Sequence, residues 1–198
     1  MTAGEFRDHL TDWGLSREEL NEIIAENPPV LSTLSGFVAE YKLRQLWLRR
    51  AGLSNLTRPR ASDRKAKGDF TVDYKGRKFV IEVKSLDTPM VKPVGDGWSG
   101  RFQCNASDSR QITLPCGVVT TNCLAVGGFD VLAVALFHFG KQWRFAFARN
   151  DELPRSPFAK YTEEQRKYLL KSSFSITWPL AHPFHEDLFA VLDSILRQ

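Results

Sequence analysis

The stretch "KGDFTVDYKGRKFVIEVKSL", residues 67–86, places two strand-like runs on either side of Lys75 and Gly76. Runs rich in Val, Phe, Thr and Tyr about such a pair read as a β-hairpin. With the turn centred there, Tyr74 faces Arg77, Asp73 faces Lys78, Thr71 faces Val80 and Asp69 faces Glu82. Directly opposed residues of an antiparallel pair have Cβ atoms about 4.5–5.5 Å apart. Because side chains alternate between faces, Asp69, Glu82 and Lys84 emerge on one side. Phe70, Val72, Tyr74, Phe79, Ile81 and Val83 form an apolar face on the other. A slip of one residue would destroy this arrangement.

Two carboxylates so close repel each other and need compensation. A divalent cation supplies it, and one or two carboxylates with waters suit Mg²⁺ or Mn²⁺. A neighbouring lysine is a compact charge that orients a water or steadies a developing negative charge. Those are the parts that metal-assisted phosphodiester hydrolysis requires. A solvated hairpin face with a cross-strand Asp73–Lys78 pair fits the same spacing, so the spacing alone leaves both readings open.

Asp69 followed, after twelve residues, by Glu82-Val83-Lys84 at the end of a hydrophobic strand resembles the core motif of the PD-(D/E)XK nuclease superfamily. Gly68 stands where that family usually has proline. The family also carries a glutamate on the preceding helix, for which Glu40 in "SGFVAEYKLRQLWLRR" is the matching residue. The motif covers residues 67–86, and the looser likeness residues 36–150. The resemblance implies a restriction-endonuclease-like α/β fold, a mixed sheet flanked by helices, and Mg²⁺-dependent DNA cleavage with Mn²⁺ able to substitute. It implies Asp69, Glu82 and the Val83 carbonyl as metal ligands, Lys84 as the catalytic lysine and Glu40 as a further catalytic acid.

Length and composition agree. A chain of 198 residues is expected to form a single domain with a real core. Its 42% hydrophobic content, with 14 Phe and 5 Trp, argues against disorder. No apolar run is long enough to span a bilayer and "MTAGEFRDHL" lacks the apolar stretch of a signal peptide. The expectation is a cytoplasmic protein with no membrane partner. Cys104, Cys116 and Cys123 form no C-x-x-C pair, and their odd number argues against a disulfide framework. A zinc site joining them to His182 or His185 is the weaker alternative to reduced thiols.

Charge is concentrated around the motif. Residues 58–84 hold nine Lys or Arg against four acids, whereas the whole chain is only +4. Five of the nine, Arg58, Arg60, Arg64, Lys65 and Lys67, lie in the loop feeding the strand that bears Asp69. Such loops bind phosphate backbones, although an ordinary solvated loop has the same composition.

Elsewhere, "SREELNEIIAENPP" is a helix with a Ser16–Glu19 capping box, stopped by Pro28 and Pro29. With "GEFRDHLTDWG" it makes an N-terminal helical hairpin over residues 1–30, ahead of a core over residues 31–150 and C-terminal helices over 151–198. In the helix from about Ser35 to Arg50, Glu40 shares a face with Phe37, Leu43 and Trp47, which favours an inward glutamate. A surface Glu40–Arg44 pair is the equal alternative. "DTPMVKPVGDGWSG" reads as a loop whose Trp98 either stacks on a base or folds back as a lid. In the following "RFQCNASDSRQITLPCG", Gln103, Ser107 and Arg110 are candidate phosphate or water contacts. "FDVLAVALFHFGKQWRFAFARNDELP" is two buried strands about Gly140-Lys141. "YTEEQRKYLLKSS" is a helix capped by Thr162 with Gln165, and the terminal segment is amphipathic from about Glu186.

The expected function is a Mg²⁺-dependent endonuclease of the stand-alone type II restriction kind, acting on DNA and able to form a homodimer, because two antiparallel strands are to be cut. A junction-resolving or repair nuclease would carry the same residues. A DNA-binding module without catalysis is the rival from another class, and a structural protein would leave the basic cluster unexplained.

Overall fold

The computed structural model describes residues 8–59 and 68–198. Its first strand, β1 (Leu53–Thr57), pairs antiparallel with β2 (Phe70–Tyr74), which pairs with β3 (Arg77–Ser85). Lys75 and Gly76 between β2 and β3 have φ of 47° and 80°. Positive φ at both central residues is what a type I′ hairpin turn demands. The register is the expected one: Thr71 lies opposite Val80, Asp73 opposite Lys78 and Tyr74 opposite Arg77.

Four more strands precede the predicted buried pair: β4 (Lys92–Val94), β5 (Gly97–Gln103), β6 (Asn105–Leu114) and β7 (Gly117–Cys123). That pair is β8 (Val131–Ala135) and β9 (Phe145–Arg149), and β10 (Ser173–Trp178) follows. β8 runs parallel to β3 and β9 antiparallel to β8, giving a five-stranded mixed sheet of order β1-β2-β3-β8-β9. Gly140 and Lys141 again turn with positive φ. This is the restriction-endonuclease-like α/β arrangement of a mixed sheet flanked by helices.

The chain divides into two units, Met1–Val38 and Ala39–Gln198. In the first, α1 (His9–Trp13) is capped by Asp8 and closed by Gly14, and α2 (Arg17–Glu26) carries the Ser16–Glu19 capping box. Pro28 and Pro29 do more than stop α2, since they form the first turn of α3 (Pro28–Leu43). Proline fits there because the first helical N–H groups have no partner to lose. None of the described residues before Ala39 is buried. α3 therefore starts earlier than the sequence suggested, and Arg44–Leu48 continues it as a π-helical turn. Phe37 is 54% exposed, so the face shared with Glu40 is only partly a core face.

In the second unit both sheet faces are covered, by different means. One face is the predicted apolar set: Phe70, Val72, Tyr74, Phe79, Ile81 and Val83 pack with Leu43 and with Leu188 and Leu192 of α5 (Leu188–Leu196). The other, bearing Leu132, Val134, Ala146 and Ala148, packs against Phe102, Phe174 and Ile176. Those three belong to β5 and β10 of a second sheet, ordered β10-β5-β4.

That second sheet corrects the sequence reading of two segments. Residues 151–198 hold a strand, β10, between α4 (Glu163–Tyr168) and α5. Its alternation of buried Phe174 and Ile176 with exposed Ser175 and Thr177 is a plain strand signal. Of the segment 87–100, read as loop, residues 92–94 and 97–100 are strand, with an apolar alternation hidden by glycine. A Cβ at Gly97 would lie 2.0 Å from the Trp178 carbonyl oxygen, so close approach excludes any side chain. Trp98 folds back, stacking on Phe139 with ring centroids 6.2 Å apart. β6 and β7 form a separate two-stranded ribbon. Cys104 and Cys123 are buried free thiols and Cys116 an exposed one.

Candidate active site

The site begins with a glycine. Gly68 has φ +65°, and a Cβ there would meet Val80 Cγ1 at 2.6 Å and the Ile81 carbonyl oxygen at 2.8 Å. Proline is held near φ −65° and cannot adopt this conformation. The departure from the usual motif thus has a local backbone cause. The bend lets the Asp69 amide donate to the Ile81 carbonyl at 2.8 Å, one position beyond the β2–β3 ladder. Asp69 Oδ2 then accepts the Val83 amide at 2.7 Å. The carboxylate extends the sheet edge, rather than standing upright on its face, and is fixed by the backbone of β3.

Glu82 and Lys84 follow on β3, with Lys84 Nζ 2.6 Å from Glu82 Oε1. Their side chains are only 12% and 20% exposed respectively. Burial pushes the Glu82 carboxyl above the usual carboxylate range; Lys84 pulls it back and Asp69 adds to the rise. Burial pulls the Lys84 ammonium down, but the charge and hydrogen bond of Glu82, with the charge of Asp69, outweigh it and hold Lys84 above its ordinary value. Lys84 is therefore a fixed cation, not a base.

Glu40 on α3 joins this group. Burial first, then the Asp69 charge, push its carboxyl up to about 7, against the opposing pull of Arg58 and Lys84. Its ion pair is with Arg58, at 2.5 Å, and not with Arg44. A folded pKa near 7, against an ordinary 4.5, means that the folded chain keeps a proton the unfolded chain releases. The contribution of Glu40 to stability is thus fully present below about pH 4.5 and is lost as pH rises through 7. In Glu40→Gln the decline should shrink, making the metal-free variant more stable than the wild type at pH 8 by about 1–2 kcal/mol after discounting for partial exposure. At pH 4.5 the two should melt alike. Chemical denaturation at both pH values checks this.

Arg60, Arg64, Lys65 and Lys67 lie outside the described residues. Gln103 bonds Asp87 at 3.3 Å. Ser107 and Arg110 are exposed on β6, and the positive charge of Arg110 reaches the Glu82 carboxyl. Cys104, read in the sequence only as a reduced thiol or a weaker zinc candidate, lies in the field of this site: its thiol is pushed up to about 12 by burial, with Lys84 easing and Glu82 reinforcing the rise. A buried thiol held so far up is inert.

Among the described residues no three His, Cys, Asp or Glu side chains converge as a metal cage. Mg²⁺ does not need one: it binds through one or two carboxylates with waters and substrate phosphate oxygens. The donors here fit that pattern. Asp69 and Glu82 offer hard oxygens, and the Val83 carbonyl leaves β3 on the same edge as the amide that Asp69 engages. After burial, the Asp69 charge adds to the rise of both the Glu40 and the Glu82 carboxyls, which places the three acids within one another's field.

No family model and no curated protein matches the chain. A solved structure of a bacterial homing endonuclease is similar, with a TM-score of 0.41 and 18% identity over 73% of this chain and 77% of that one. No helix among the described residues is long and apolar enough to cross a membrane.

Proposed function

We propose that the protein is a Mg²⁺-dependent DNA endonuclease of the PD-(D/E)XK type, acting as a stand-alone restriction-like enzyme. The observation that carries this reading is the convergence of Asp69, Glu82 and Lys84 at the end of β3, with Glu40 beside them. Asp69 and Glu82, with the Val83 carbonyl, would hold the ion. When bound, Mg²⁺, or Mn²⁺ in its place, lowers the pKa of water and polarises the scissile phosphoryl oxygen.

The chain's own residues do the rest. Val83 fixes the Asp69 carboxylate through its amide, so that ligand needs no reorganisation. Lys84, protonated throughout, offers its ammonium to a phosphate oxygen and steadies charge as the phosphoryl group is attacked. Glu40, with its carboxyl near 7, is poised to take a proton at neutral pH. Arg58 and the basic run after it supply sequence-independent hold on the phosphate backbone. Cutting both strands of a two-fold site takes two such centres, hence a pair of chains.

Incubation with supercoiled and linear duplex DNA, with and without Mg²⁺, tests the reading. Discrete fragments that appear only with the metal are expected, together with a Mg²⁺-induced rise in melting temperature. Salt-sensitive binding without cleavage, and no thermal shift at millimolar Mg²⁺, would make the protein a DNA-binding module instead.

A further inference from the structure

Arg110 is an exposed residue on an anchored face. By the alternation of the pleat it shares a face of β6 with Ile112 and Leu114. Those two pack with Leu169, Tyr161 and Tyr168, so this face is turned to the body of the second unit. Arg110 lies opposite Thr121 of β7. Thr121 is buried, bonds the Tyr161 hydroxyl at 2.6 Å and accepts the Cys123 amide at 2.9 Å. The backbone under Arg110 is thus fixed, while its own side chain is exposed.

The register carries that face towards the candidate active site. Cys123, on the same face of β7 as Thr121, lies opposite Asn105 at the start of β6. Residues 106–109 of β6 stand against Asn122 alone, and this bulge brings Arg110 back beside the start of its own strand. Its partner Thr121 is only two residues, about 6.8 Å, from Cys123. Cys104, next to Asn105, lies in the field of Lys84 and Glu82. The charge of Arg110 in turn lowers the Glu82 carboxyl, after the larger effects of burial, Lys84 and Asp69.

The other two cations near the acids are engaged with them. Lys84 bonds Glu82 at 2.6 Å and Arg58 bonds Glu40 at 2.5 Å. Arg110 has no hydrogen-bond or ion-pair partner among the described residues. A phosphodiester brought beside three carboxyls adds negative charge to negative charge. A guanidinium fork matches phosphate oxygens with two parallel N–H bonds. Arg110 can meet such an anion without first breaking a bond of its own.

Resting on the reading of this site as a DNA nuclease, we propose that Arg110 grips the non-bridging oxygens of the scissile phosphate and holds it against the candidate active site. Arg110 is then a catalytic residue, touching the group under attack, and not one more anchor on the flanking backbone. Donors set beside the oxygens of a phosphoryl group under attack act on rate more than on affinity.

Arg110→Ala and Arg110→Lys, made in the full chain, test this on supercoiled plasmid with Mg²⁺ and on a labelled duplex without metal. At saturating enzyme the single-turnover cleavage rate should fall by about 10²-fold or more in Arg110→Ala. Arg110→Lys, which keeps the charge without the fork, should fall less. Guanidinium ion below denaturing concentration, against matched sodium chloride, should restore part of the Arg110→Ala rate and leave the wild type no faster. Without metal, the slope of log affinity against log salt should fall by about one in Arg110→Ala. Its melting temperature should stay that of the wild type, because the side chain is exposed. A wild-type rate at saturation in Arg110→Ala, whatever the salt slope, would assign Arg110 to a neighbouring phosphate or to none. That result would overturn the proposal and leave the nuclease reading intact. Slow cutting that comes with early melting, and that neither lysine nor guanidinium relieves, would make the residue structural and overturn it too. A wild-type protein that binds the duplex but never cuts the plasmid would overturn both readings.

Discussion

Asp69→Asn is expected to lower the rate of DNA cleavage by about 10³-fold or more, while duplex affinity stays within a few-fold of wild type. Asparagine is the sharper probe than alanine. Asp69 Oδ2 accepts the Val83 amide at 2.7 Å, and an asparagine carbonyl can keep that bond. Alanine would leave a part-buried amide unsatisfied, at a cost of about 1–3 kcal/mol, and would mix a folding defect with a catalytic one. What asparagine removes is charge: one hard anionic oxygen at the edge where the ion is to be held. Single-turnover cleavage, read beside fluorescence anisotropy on the same duplex, separates the two quantities. Undiminished cutting would remove Asp69 from the site.

Lys84→Met should lose about 2–4 kcal/mol of stability at pH 8 without metal. Methionine keeps the length and packing of the stem but removes the cation 2.6 Å from Glu82. Glu82 then loses its ion-pair partner beside Asp69, while Glu40 keeps Arg58. Lys84 is the main partner that pulls the raised Glu82 carboxyl back down, and it acts after Arg58 on Glu40. Without it both rise further, so the folded variant holds protons that the unfolded chain releases, and its stability must fall more steeply with rising pH. Acidification should therefore recover part of the loss. Mg²⁺ at millimolar concentration should recover part of it at pH 8, because an ion at the carboxylates replaces the missing charge. The double variant Lys84→Met/Glu82→Leu should be at least as stable as Lys84→Met, since it buries no unpaired charge. Denaturant melts at two pH values, with and without Mg²⁺, check all of these. A Lys84→Met protein as stable as wild type would mean that the lysine compensates nothing.

The two predictions separate chemistry from charge balance. Asp69 is fixed by a backbone bond, and its loss is expected to be felt in rate. Lys84 is fixed by an ion pair in a poorly solvated place, and its loss is expected to be felt in both rate and stability. Such opposition between stability and function is expected where a site gathers like charges before its ligand arrives.

The hairpin was legible in the sequence because its signals are local. Positive φ at Lys75 and Gly76 is a property of two adjacent residues, and the alternation about them fixes every cross-strand neighbour through the pleat. The same holds for the Ser16 and Thr162 capping boxes and for the buried β8–β9 pair. Asp69, Glu82 and Lys84 could thus be brought to one strand end from spacing alone. Gly68 could be noticed as a departure, but not explained, because its reason is the nearness of Val80 and Ile81 across the hairpin.

Tertiary structure decided the rest. Whether Glu40 faced the site or paired with Arg44 could not follow from helical phase, which served both. Packing brought it to Arg58, eighteen residues on, and into the field of Asp69. The second sheet escaped because β5 carries Gly97 and Gly100 where its neighbours press closest, and glycine is silent in any hydrophobic pattern. The β6–β7 ribbon escaped for the opposite reason. Its outer face is polar and its inner face meets Leu169 and Tyr161, more than forty residues away from most of β6. Local sequence thus specified the strand that bears the candidate chemistry, while long-range burial determined which acid joins it and which surface stands beside it.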